Sequence, residues 1–127
     1  MRLTLLFFTI TIFLCQFTLA KDEVNQNEQR KINSLLQRIK KSEVIFIRNG
    51  SEYSPKEAHD HLKRKLDYAL NSWFAPAKSK WTAKMFIEEI ASKSSFSKKP
   101  YQIKLKNGEV LNTETWLKKL LKEIEKK

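Results

Sequence analysis

Residues 44–65 read VIFIRNGSEYSPKEAHDHLKRK, and the order of signals within this stretch decides the fold class. Val44, Ile45, Phe46 and Ile47 are four successive apolar residues rich in β-branching, which predicts a strand over 43–48 covered on both faces. Asn49-Gly50 then breaks the run, because both residues tolerate positive φ and make a sharp turn. Ser54-Pro55-Lys56-Glu57 supplies a serine cap, a proline at the first helical position and a glutamate three residues after the cap. The helix that follows should run to about Ser72 and bury Ala58, Leu62, Leu66, Ala69, Leu70 and Trp73. Glu57, His61 and Lys65 fall in one i, i+4, i+8 row along the border of that apolar arc. His59 falls inside the arc, where a core or subunit-contact role is expected.

On the N-terminal side, Asn25 reads as a cap with Glu28 completing a capping box, and Ile32, Leu35, Leu36 and Ile39 form the apolar stripe of a helix ending near Lys41. On the C-terminal side, 74–80 is a linker marked by Pro76, and 81–92 reads as a third helix capped by Thr82 with Met85, Phe86, Ile90 and Ala91 inward. A serine cluster at 92–97 and Pro100 end it. YQIKLK at 101–106 alternates, placing Tyr101, Ile103 and Leu105 toward a core; Asn107-Gly108 is a hairpin turn, and 109–111 returns as a short strand. A last helix starts at Asn112 or Thr113 and buries Trp116, Leu117, Leu120, Leu121 and Ile124. The expected architecture is α+β: four helices packed on a small antiparallel sheet made of one strand plus a hairpin.

The first twenty residues have the form of an export signal: Arg2, an apolar run from Leu3, and small residues ending at Ala20. An uncleaved anchor is the competing reading, since 3–20 is long enough to span a bilayer. Residues 21–127 are then a single domain, exported and most simply periplasmic. Cys15 is the sole cysteine, so that domain has no disulfide or thiolate ligand and is held by its core. Arg2 is the one basic residue of the leader, which contains no acidic residue, so the net charge of +11 becomes +10 for residues 21–127. Export and the even spread of lysines disfavour nucleic acid as the counterpart. An anionic envelope component, lipid head group or acidic polysaccharide, or another envelope protein suits the charge better. No metal spacing, phosphate loop or nucleophile elbow occurs, so neither cofactor nor metal is expected.

Arg48, Asn49, His61, Lys65 and the serines are the chemically rich residues. They can form a polar network or an anion pocket, with Arg48 as a planar fork and Lys65 as a point charge. The alternative is a small hydrolase in which Glu57 orients His61 as base for Ser94 or Ser95. Phe46-Ile47-Arg48-Asn49-Gly50, Glu57-Ala58 with His61-Leu62 and Lys65, Phe86-Ile87, Ala91-Ser92 with Ser94-Ser95, and Pro100-Tyr101 together resemble the YfeK-like family of small exported bacterial proteins, a domain of unknown function. The resemblance spans most of residues 21–127 and transfers no activity. It favours Arg48, Asn49, Gly50, His61, Lys65, Ser94, Ser95 and Tyr101 over His59 as a ligand-binding site, with no catalytic residue assigned. Lys98 stands where the family pattern tends to have glycine, so strain is expected if that turn needs positive φ. The linker between Trp73 and Trp81 is also longer than in the family pattern.

Overall fold

A computed structural model describes residues 21–127. The export signal expected at 1–20 lies outside them. The elements in chain order are α1 (Gln26–Lys41), β1 (Ile45–Arg48), β2 (Ser51–Tyr53), α2 (Pro55–Asn71), a 3-10 turn (Lys78–Lys80), α3 (Ala83–Met85) running into a π-helical segment (Phe86–Ala91), β3 (Gln102–Lys104), β4 (Val110–Asn112) and α4 (Thr113–Glu125). The fold is α+β, and every pairing in its sheet, ordered β2-β1-β3-β4, is antiparallel. Among the described residues no helix is long and apolar enough to cross a membrane.

The sheet holds one more hairpin than the sequence suggested. Asn49 (φ 49°) and Gly50 (φ 79°) both occupy the left-handed region, so the chain reverses in two residues and Ser51–Tyr53 pairs back on β1. β1 is therefore a central strand. It is not covered on both faces: Phe46 is buried while Ile45 is exposed on the opposite side. Tyr53, Phe46, Ile103 and Leu111 are cross-strand partners, forming one row over all four strands on the helix-facing side. Phe46 meets Trp116 of α4 edge-on at 5.8 Å, which ties the last helix to the sheet.

Three expectations about the helices are corrected. Asn25 caps α1 by accepting from Asn27 N at 2.9 Å, but Glu28 does not complete a capping box; its carboxylate accepts from Ala83 N at 2.7 Å and so serves the start of α3. The third helix is not α-helical throughout, because 86–91 widens into a π-helical segment with Phe86, Ile87, Ile90 and Ala91 all buried. α2 ends at Asn71, and Trp73, expected in the core, is 93% exposed beside Phe74 at 94%. The capping box of Ser54 and Glu57 and the Thr82 cap are both formed.

The loop 94–99 is closed by Ser94 N to Lys99 O at 3.0 Å and Lys98 N to Ser94 O at 3.1 Å. Closing it this way requires φ of 58° at Lys98, where a Cβ is penalised. Lys98→Gly removes a cost of about 1–2 kcal/mol and adds a backbone-entropy cost of about 0.5–1 kcal/mol. A net gain of about 0.5–1 kcal/mol is expected in urea unfolding. A lower midpoint with an unchanged slope would contradict this account of the loop.

Candidate functional site

The pleat decides where Arg48 points. It lies two residues beyond Phe46 and therefore on the same, helix-facing side, at the end of the strand where the core gives out. Tyr101 lies two residues before Ile103 and shares that side. α2 crosses there, and its row of residues at i, i+3 and i+4 presents His61, Arg64 and Lys65 to the strand ends.

Arg48 has three neighbours and no acid. Its Nη1 lies 2.9 Å from Nδ1 and 3.0 Å from Nε2 of His61, nearly equidistant, so the guanidinium leans over the imidazole. Its Nη2 donates to Tyr53 Oη at 3.1 Å, and the guanidinium carbon sits 4.7 Å from the Tyr53 ring centroid. His61 Nε2 is 3.3 Å from Tyr101 Oη. A guanidinium can only donate, so the imidazole must present an unprotonated nitrogen to it. Burial, then the charges of Arg48, Lys65 and Arg64, push His61 down to about 4. The hydrogen bond from Arg48 to Tyr53 raises the arginine further, and burial raises Tyr101.

Lys65 is spent largely on backbone. Its Nζ donates to Ile90 O at 2.8 Å and Lys93 O at 2.5 Å, the carbonyls at and beyond the end of the π-helical segment, and it sits 5.0 Å from the Tyr101 ring. A helix terminus leaves such carbonyls without internal donors. Burial, then Lys98, Lys93 and Arg48, push Lys65 down to about 8, with Glu89 acting in the opposite sense.

The nearby carboxylates are engaged elsewhere. Asp60 pairs with Lys56 at 2.6 Å and His59 at 2.8 Å, Asp67 with Lys63 at 3.3 Å, and Glu89 with Lys93 at 3.6 Å. Glu57 does not orient His61, because its carboxylate accepts from Ser54 N at 2.8 Å. Among the described residues no carboxylate lies within ion-pairing distance of Arg48, Arg64 or Lys65, and no cluster of His, Cys, Asp or Glu could hold a metal.

Two depressions share Arg48, His61, Arg64 and Tyr101: a cavity of about 290 Å³ floored by Phe46, Ala58 and Leu62, and a more open groove of about 520 Å³. The groove is where Arg48, Asn49, His61, Lys65, Ser94, Ser95 and Tyr101 come together. Gly50 is outside it, its role being the turn. Ser94 is buried and Ser95 exposed; the ring nitrogens of His61 face Arg48 and Tyr101, not a serine hydroxyl. His59, half-buried, is taken up by Asp60.

Sequence reading missed Tyr53, Arg64, Tyr68 and Phe96, all of which line these depressions. Arg64 was accessible to it, lying three residues after His61 on the same helix face. Tyr53 was not, because its position depends on the unforeseen second strand.

The model of a family of unknown function, DUF5329, matches residues 26–125. The chain belongs to this family. It is also 37% identical over 79 residues to the uncharacterized protein YfeK of Salmonella typhimurium, an overlap of 61% of this chain and 60% of that protein. The DUF5329 match takes in both sheet hairpins and all the groove residues. No solved structure matches the chain.

Proposed function

We propose that this DUF5329 protein is a non-enzymatic binding domain, exported to the bacterial envelope, whose groove takes an anionic group. The observation that carries the reading is the set of three cations, Arg48, Arg64 and Lys65, gathered at one groove with the neighbouring carboxylates all engaged elsewhere. Burying positive charge without a counter-ion costs stability, and a bound anion would recover that cost. Arg64 is the exposed member and the freest to reach a ligand, while Arg48 and the neutral His61 form the wall behind it. A hydrolase is less well supported, because a base held near a guanidinium with both ring nitrogens engaged is poorly placed to activate serine.

Titration with inorganic phosphate and with glucuronate, followed by amide NMR shifts, tests this. Saturable shifts at Arg48, Arg64 and Ser95 are expected. Arg64→Gln should weaken them by about tenfold while leaving the melting temperature unchanged. Unsaturable shifts spread over all lysines would overturn the reading.

A further inference from the structure

We propose that the rim of the groove is a docking surface for an anionic phospholipid bilayer, with Phe96 as the side chain that enters the interface. This rests on the preceding reading of the groove and adds to it the partner.

Phe96 is 100% exposed, and Tyr68, which lines the same groove, is 79% exposed. A bare phenyl ring at a chain end would mean little. This one stands on a loop closed at its base by the backbone bonds between Ser94 and Lys98 and Lys99, tethered by Ser97 Oγ to Asn49 Oδ1 at 3.2 Å, and bridged below by Lys93 and Pro100. The left-handed Lys98 helps to hold the ring out, away from the core. An aromatic side chain presented in this way gains by entering the headgroup region, where the apolar body leaves water.

The charge around the ring selects the kind of surface. Lys98 and Lys99 follow Phe96 in the same loop, both exposed, and Lys93 precedes it. Lys93 and Lys98 lie close enough to Lys65 to depress its proton affinity, and Arg64 acts likewise on His61. The cations therefore form one field around the phenyl ring and the groove. Such a field attracts an anionic leaflet and fades within a Debye length. The other exposed aromatic pair, Trp73 and Phe74, has a mixed-charge setting: the Asp22 carboxylate accepts from Lys78 N and Ser79 N at 2.9 and 3.0 Å and offsets the lysines Lys78 and Lys80 of that segment. Charge complementarity favours the Phe96 loop.

The full chain is tested in a Phe96→Trp form with phosphatidylcholine vesicles, with and without phosphatidylglycerol, using brominated lipid as quencher. Comparison with the parent chain corrects for its own tryptophans. Quenching specific to residue 96 is expected with phosphatidylglycerol, and loss of it in pure phosphatidylcholine or at high salt. Phe96→Ser, at a fully exposed position, should lower salt-sensitive partitioning about tenfold without changing the melt. No quenching at residue 96, even if the chain pellets with the vesicles, overturns the proposal. So does quenching that Trp73→Phe abolishes, or an emission shift at 96 caused by soluble polygalacturonate and not by vesicles. If residue 96 stays unquenched while phosphate still gives saturable shifts that depend on Arg64, the anion-binding reading stands and the bilayer is the wrong partner.

Discussion

Lys65→Met is expected to destabilise the protein by about 2 kcal/mol at neutral pH, despite removing a cation from a crowded positive site. Methionine keeps most of the apolar stem and deletes the donors. The carbonyls of Ile90 and Lys93 then lose a partner beside a residue, Ile90, that is itself buried. An unpaired buried acceptor costs about 1–3 kcal/mol, and relief of repulsion from Lys98, Lys93 and Arg48 returns part of it. The pH dependence separates the two effects. Lys65 has a folded pKa of about 8 against 10.5 for a free lysine, so between these values the unfolded chain holds more protons. Stability of the parent protein should therefore rise with pH across that window. The neutral amine still has N–H groups for both carbonyls, so deprotonation relieves the charge without breaking the contact. Urea midpoints measured from pH 7 to 10.5 should show the gap between parent and Lys65→Met widening as pH rises. A constant gap would mean that Lys65 is not depressed, and a variant more stable than the parent would remove its structural role.

The readings that succeeded were those whose signal is complete within a few residues. Ser54 with Glu57 is one, since donor and acceptor groups lie within one turn. The hairpin at Asn107-Gly108 is legible too, but not its two-residue form: Leu105 pairs with Glu109 across a three-residue loop in which only Gly108 is left-handed, and β4 starts at Val110. The failures have a common physical source in partners distant in sequence. Ser51-Glu52-Tyr53 has no apolar alternation to announce a strand, and exists as one because β1 offers it a hydrogen-bonding edge. Asn49-Gly50 does carry the hairpin signal, but the polar residues after it look like a passage straight into α2. Glu28 has the spacing of a capping box, yet Ala83 N, far along the chain, competes for the carboxylate and wins. Trp73 continues the apolar period of α2 on paper, but the helix stops before it: Asn71 Nδ2 turns back to Asp67 O at 2.7 Å and Ser72 N reaches only to Ala69 O. FIEEIA gives no local sign of π-helical winding. Its carbonyl end is met by a lysine from another helix, a contact that no window of sequence contains.

His61 gives the second large effect, on the acid side. Its folded pKa of about 4 lies below the 6.5 of a free histidine, so the unfolded chain takes up the proton first as pH falls. The stability associated with the neutral imidazole is complete above pH 6.5 and lost progressively down to about 4. Because the ring is only partly buried, the loss is set at about 2 kcal/mol after allowance for solvent screening. His61→Gln keeps an acceptor for Arg48 and a donor for Tyr101 but cannot titrate, so its midpoint should fall less than that of the parent over this range. Carboxylates that titrate in the same range are common to both proteins and cancel in the difference. The sign then reverses with an anion in the groove. A bound phosphate close to His61 offsets the fields of Arg48, Arg64 and Lys65, raises the histidine and makes proton uptake favourable to binding. Phosphate affinity of the parent should therefore increase as pH falls from 6.5 toward 5, while that of His61→Gln changes only with the ionisation of phosphate itself. Equal pH dependence in the two proteins would mean that the anion sits beyond the reach of His61, and the groove would have to be reassigned to the rim around Arg64.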